Sequence, residues 1–360
     1  MVNSIYIHIP FCSNICNYCD FCKFYYDQNI ADKYIEQLLK EINSNYKGEV
    51  INTIYIGGGT PSCLSIPQLE KLFSFFNIIN VSDSFEYTIE CNIMDITKEK
   101  MKLFKKYHVN RVSIGVESFQ ESVLTYLGRF ISKDKIIEKI NLVKEYFDNI
   151  NVDLIYAVPG EDIKILKKDL ELFISLDIPH ISTYSLIIEE HTKLGINNTK
   201  NIDEEMDSNM YDLINDTLVK NNYIHYEISN FCRDGFESKH NLTYWKNNKY
   251  YGFGLGASGY IDNFRYTNTR NINKYLSGDY IDNKDVLSRE IDASNYAILA
   301  LRTRYGIDKK KFNQLYGCDF ILYFDVADLL DDGILIDNGD SYSIDYKYWY
   351  VSNEILTRFI

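Results

Sequence analysis

The chain lacks any run of about 18 apolar residues, the length needed by a single membrane-crossing helix, so no such span is expected. It is also short of positive charge: 38 lysines and arginines against 51 acids leave a net charge of −13. That balance excludes a general nucleic-acid binder and a protein drawn to anionic membranes. No basic and apolar leader opens the sequence, because a strand-like run and a cysteine-rich loop begin almost at Met1. Neither a repeat of period roughly 20–50 residues nor a low-complexity tract is visible. The lysine of a phosphate loop and the G-x-G-x-x-G of a dinucleotide fold are both missing. What is present is ample core material: 46% of the 360 residues are hydrophobic, enough for about two or three packed domains. Eight cysteines do not read as an extracellular disulfide framework, since four of them crowd into Cys12–Cys22. A reducing, cytoplasmic compartment is expected.

Those four are the most informative residues. Cys12, Cys16 and Cys19 stand as C-x3-C-x2-C after the run Ser4-Ile5-Tyr6-Ile7-His8-Ile9-Pro10, and Cys22 follows. Three close thiolates suit a [4Fe–4S] cluster, whose irons take cysteine sulfur. A zinc knuckle, a disulfide pair and unrelated buried thiols are the competing readings; zinc more often pairs C-x2-C with a distant second pair.

Short β-branched or aromatic runs alternate with longer helical stretches through the first half. The strand-like runs are Ser4–Ile9, Thr53–Ile56, Phe85–Glu90, Arg111–Val116, Asn151–Val158 and His180–Ile188. Between them Ile30, Tyr34, Leu38 and Ile42 recur at steps of four, and 66–79, 97–107, 132–147 and 162–176 are also read as helical. Such alternation predicts parallel βα units, with strands apolar on both faces inside a layer of helices. Six units make a partial barrel; a doubly wound open sheet is the alternative. After residue 197 the texture changes to a helix over 204–219, a strand-like run at 224–229 and a Gly- and aromatic-rich segment to 266. Beyond 291 the spacing predicts helices, the third around Tyr323–Leu330, and a hairpin pairing Ile334–Ile336 with Tyr342–Ile344. The expected division is 1–195 for the partial barrel, 196–285 for an extension and 286–360 for a small α+β winged-helix-like domain. With this negative charge the last is a packing or protein-contact module rather than a DNA reader.

The carboxyl ends of parallel strands form the active face of such a barrel. The cysteines follow the first strand and Gly57-Gly58-Gly59-Thr60-Pro61 the second. Glu90, Glu117 and Asp153 stand at or within the next three. Three carboxylates facing a loop of thiolates are costly to desolvate without partners, so a polar ligand site is the better reading.

Together these residues resemble the radical S-adenosylmethionine proteins. More narrowly, His8-Ile9-Pro10-Phe11-Cys12, Tyr18-Cys19-Asp20-Phe21 and Ser113-Ile114-Gly115-Val116 are similar to the oxygen-independent coproporphyrinogen III oxidase family. Tyr226-Glu227-Ile228-Ser229-Asn230-Phe231 and His240-Asn241-Leu242-Thr243-Tyr244-Trp245 look like that family's heme-chaperone subgroup. The resemblance spans essentially the whole chain. It implies that Cys12, Cys16 and Cys19 bind three irons, with S-adenosylmethionine chelating the fourth. Gly58, Gly59 and Thr60 would border the methionine moiety, with Glu90 near its amino group and Arg129 on its carboxylate. Asp153 and Glu117 would hold the ribose, and Tyr6 and Tyr18 would line the cluster pocket. Position 117 is usually glutamine in this pattern, and a glutamate cannot donate. Cys22 is read as a bystander.

The shared motifs do not separate oxidase from chaperone. Only eleven residues precede Cys12, too few to fold over a tetrapyrrole. In the other direction, His240 is read as an exposed imidazole with Asn241, Tyr244 and Trp245 beside it, a candidate heme site. A heme chaperone is therefore the leading expectation, with heme, a heme-acceptor protein and an electron donor for the cluster as partners. Radical oxidative decarboxylation of coproporphyrinogen III is the alternative.

Overall fold

The computed structural model describes residues 1–360. Six strands, β1 (Ser4–Ile9), β2 (Val50–Gly58), β3 (Asn80–Asn92), β4 (Arg111–Glu117), β5 (Asn149–Tyr156) and β6 (His180–Ser185), lie side by side in chain order. Every neighbouring pair among them is parallel. A doubly wound sheet needs a point where strand order reverses, and none occurs between β1 and β6. Winding in one direction with right-handed crossovers puts the connecting helices on one side, which makes the sheet a partial barrel. Later strands extend both edges. Beside β1 lies β9 (Tyr251–Phe253), in parallel; beside β6 come β8 (Asn230–Cys232) and then β7 (Ile224–Glu227), antiparallel. The terminal strands β9 and β7 are not paired, so the barrel stays open.

Local chemistry starts each outer helix. Asp27, Ser65, Thr97, Ser132 and Asp162 each accept a hydrogen bond from a backbone N–H of the first turn that follows, and Ser65 with Gln68 completes a reciprocal capping box. The apolar row of Gln28–Asn45 packs inward through Ala31, Tyr34, Ile35, Leu38 and Ile42, while Ile30 turns out to solvent. The helical stretch expected over 66–79 divides into an α-helix, Ile66–Phe73, and a 3-10 segment, Ser74–Ile78.

The expectation of strands apolar on both faces is corrected for β4 to β6. Val112, Ile114, Val152, Leu154 and Ile181 pack outward into the main core, whereas Arg111, Ser113, Gly115, Asn151, Asp153, Ser182 and Tyr184 line a cavity. Alternation of period two gives one face to the helices and the other to a polar lumen.

The rest of the chain closes on this frame. Buried Glu41 accepts from Gly254 N at 2.9 Å, Tyr275 Oη at 2.5 Å and Asn268 Nδ2 at 2.6 Å. Three donors from the later segment are thus held by one barrel-helix carboxylate, whose affinity for its proton burial raises. The last part has a separate core containing Phe312, Phe320, Leu335 and Trp349, built by helices and an antiparallel hairpin, Leu335–Asp337 with Ser341–Ile344. The third helix expected there is broken into Phe320–Phe324 and Ala327–Asp331, because Asp325 adopts a left-handed conformation (φ 52°) between them. Replacing Glu41 by Ala orphans three buried donors. It should destabilise the fold by about 3 kcal/mol or more in chemical denaturation, since each unsatisfied group costs roughly 1–3 kcal/mol.

Candidate functional site

At the carboxyl ends of the parallel strands the lumen opens into a cavity of about 380 Å³. Cys12, Cys16 and Cys19 all line it, and Cys22 does not. The Cys22 backbone carbonyl instead bonds His8 Nε2 at 2.8 Å. Burial pushes the Cys12 thiol up to about 11 and raises that of Cys19, so metal binding here would release protons. The three sulfurs share the cavity, whose lining includes no histidine. Cysteine thiolates are the ligands that a four-iron cluster takes. The donor set fits the cluster.

The glycine turn acts by close packing. A Cβ on Gly58 (φ 107°) would lie 2.2 Å from the His8 ring, and one on Gly59 would lie 2.7 Å from Ile9 O. Gly59 N donates to Ile9 O at 2.9 Å and Thr60 N to Phe11 O at 2.7 Å, so the turn fixes the start of the cysteine loop. Thr60 Oγ1 reaches Cys12 Sγ at 3.4 Å. Gly58 N also donates to Glu90 Oε2 at 2.9 Å, while Tyr55 Oη donates to Glu90 Oε1 at 2.7 Å. Gly58, Gly59, Thr60 and Glu90 all face the cavity.

Glu117 ends β4 at a register shift with φ 68°, a left-handed conformation costly for a residue with a side chain. That turn sends its carboxylate to Arg129 Nη2, 3.0 Å away and equally buried. Arg129 Nη1 donates to Gly115 O at 2.8 Å, and its Nε has no partner. Arg129 also lines the cavity, and a guanidinium there suits a bound carboxylate. Asp153 accepts from Asn151 Nδ2 at 2.8 Å. Burial raises all three acids: Glu90 and Glu117 to about 7, against the pull of Arg129 on Glu117, and Asp153 above its usual range. Tyr18 lines the cavity beside Glu117. Tyr6 stands behind the wall, its hydroxyl bonded to His8 Nδ1 at 2.9 Å. It does not line the pocket as expected.

The expectation of an exposed imidazole at position 240 is also corrected. His240 is 1% exposed. Its Nδ1 meets Thr53 Oγ1 at 2.8 Å, its Nε2 meets Tyr244 Oη at 2.7 Å, and its ring stacks on Tyr55 at 5.1 Å. Burial, then the charge of Arg111, lowers it to about 3. The backbone N–H groups of Lys239 and His240 are capped by Glu86 at 3.0 Å. Thr53, Glu86 and Arg111 lie toward the amino ends of β2 to β4, so the helix Lys239–Trp245 plugs the floor of the lumen, and Asn241 reaches the cavity from below. Trp245 Nε1 is buried. Sequence reading missed Arg111, Asn151, Ser182 and Tyr55 in the lumen; the alternation R-V-S-I-G-V-E was the available signal.

Residues 6–173 match the Radical SAM superfamily model. Along its whole length the chain overlays the solved coproporphyrinogen III oxidase of Escherichia coli, a radical SAM enzyme (TM-score 0.88, 20% identity, 99% of this chain and 90% of that one). At that identity the likeness establishes the fold. The class is thus a radical S-adenosylmethionine protein, which implies a [4Fe–4S] cluster and S-adenosylmethionine. Among curated proteins, the heme chaperone HemW of Lactococcus lactis is 38% identical, covering 99% of this chain and 97% of its own. That of Bacillus subtilis is 35% identical over 100% and 99%, and that of Escherichia coli 28% over 99% and 98%. The chain belongs to the HemW family.

A pH dependence follows from the raised acids. Glu90 and Glu117 hold protons in the folded state up to about 7, against an ordinary value of 4.5. Their contribution to stability is full below about pH 4.5 and is lost as pH rises through 7. Glu90→Gln should flatten this slope, gaining about 2–3 kcal/mol over wild type at pH 8 and little at pH 4.5, as read by denaturation of the metal-free protein at both pH values.

Proposed function

We propose that this protein is a heme chaperone: it binds heme, carries a [4Fe–4S] cluster with S-adenosylmethionine, and passes heme to an acceptor protein. The observation that carries the reading is the full-length likeness to HemW chaperones at up to 38% identity, together with a cavity lined by all three thiols of the C-x3-C-x2-C loop. When bound, the cluster supplies an electron to the sulfonium of S-adenosylmethionine.

The chain's own residues provide position and enclosure. Cys12, Cys16 and Cys19 would hold the cluster. Arg129, already fixed by Glu117 and Gly115 O, lines the cavity and would meet the cofactor carboxylate with its guanidinium. Glu90 would receive the amino group on a carboxylate already oriented by Tyr55 Oη and Gly58 N. Asp153 accepts from ribose hydroxyls, and Glu117 does so only with the oxygen Arg129 leaves free. The coproporphyrinogen III oxidase reading keeps one supporting observation, the shared fold. No helix is long and apolar enough to cross a membrane.

Four expectations test the proposal. Anaerobically reconstituted protein should lose its iron–sulfur absorbance on Cys12→Ala, Cys16→Ala or Cys19→Ala and keep it on Cys22→Ala. Arg129→Ala should weaken S-adenosylmethionine binding by about 1.5–3 kcal/mol in calorimetry, the scale of a charged hydrogen bond. The purified protein should take up about one heme per chain and leave coproporphyrinogen III intact under reducing, anaerobic conditions. Turnover of that substrate without heme uptake would replace the chaperone by the oxidase.

A further inference from the structure

Heme needs an iron ligand, and the six histidines can be sorted by geometry. His8 and His180 are buried with both ring nitrogens bonded, to Tyr6 and the Cys22 carbonyl, and to Asn151 and Tyr226. His225 is buried with its ring stacked at 3.9 Å on Phe231. His240 is closed off beneath the lumen, as described above. His108 is exposed, but it precedes β4 at the closed end of the barrel and stacks on Phe76. His191 remains, with 63% of its side chain exposed. It stands at the open mouth, on a segment pinned to the cysteine loop by Leu194 N donating to Asn17 O at 3.0 Å.

The surroundings of His191 match the chemistry of a metallated tetrapyrrole. Its Nε2 meets the carboxylate of Asp20; with Nε2–H donating there, Nδ1 is the nitrogen that carries the lone pair, on a side chain that is mostly exposed. Phe21 and Ile187 both line the cavity mouth and are 66% and 69% exposed, so two apolar side chains stand together at the rim. Arg270 reaches the Asp20 carbonyl at 3.4 Å, and Lys23 the Cys19 carbonyl at 2.5 Å, placing two cations at the same rim. A planar apolar ring with two carboxylate arms needs an imidazole, apolar contact and cations together. The lumen, about 380 Å³ with Glu90, Glu117 and Asp153 in its wall, would set three acids against that ring's own carboxylate arms.

We propose that heme docks across the barrel mouth, with His191 as its axial ligand, Asp20 orienting the imidazole, and Phe21 and Ile187 against the macrocycle. This rests on the heme-chaperone reading. The imidazole lone pair displaces water from iron, and no electron is transferred.

The full-length protein is titrated with hemin, following the Soret band and the ferric electron paramagnetic resonance signal. His191→Ala should weaken hemin binding at least tenfold and change the axial signature, and Asp20→Asn should shift the signature with a smaller loss. His191→Gly should regain the wild-type spectrum when imidazole is added, a rescue that a merely structural role would not give. His108→Ala should match wild type. A wild-type spectrum and affinity in His191→Ala would overturn the assignment and leave the heme reading standing, whereas absence of hemin binding by the wild type would overturn both.

Discussion

Three carboxylates and two guanidinium groups sit together inside an open sheet, and their burial sets the terms for the rest of the structure. Arg129 and Glu117 form one direct ion pair at 3.0 Å. Arg111, 2% exposed, enters none and has an unpartnered Nε. Charges removed from water are tolerated only where partners and hydrogen bonds repay much of the desolvation. Here Tyr55, Gly58 and Asn151 supply donors to Glu90 and Asp153. What stays unpaid is visible as carboxylates that keep their protons to about pH 7. A site of this kind gives up stability in its empty state in exchange for donors and acceptors already aimed at a ligand.

The seam between β1 and β2 carries that arrangement to the cysteines. Glycines at 57, 58 and 59 allow the strand ends to approach until an added Cβ would strike Glu90, His8 or Ile9. The same turn bonds Glu90 and the first residues of the cysteine loop, so cluster ligands and cofactor acids are positioned by one backbone segment. The floor is set from elsewhere. Residues 239–245, with His240 lying 187 positions beyond Thr53 and 154 beyond Glu86, close the lumen, and Glu41 ties the following segment to the first barrel helix.

Much of this was legible in the chain. The thiol spacing, the glycine turn and the strand-end acids were readable because each is local: a few adjacent residues define the chemistry, and the βα rhythm says which strand ends they occupy. Strand β1 falls at Ser4–Ile9, as its apolar pattern implied. The polar inner faces of β4 to β6 were less easily seen, because buried alternation of Val and Ile with Ser, Gly and Asn reads as apolar overall until the two faces are separated. The hexapeptide at 240–245 misled for a different reason. Its composition suits a heme site, but composition is silent on which surface a helix meets.

By itself the sequence determined the βα order, the three thiols and the carboxylates that follow them, since those depend on periodicity and on nearest neighbours. Only the tertiary structure decided the single direction of winding, the pairing of Glu117 with Arg129 and the seating of His240 beneath the lumen. It also decided that His191 is the exposed histidine at the mouth. Each of those turns on contacts between residues far apart in the chain, where packing and the cost of burying charge, rather than local preference, select the arrangement.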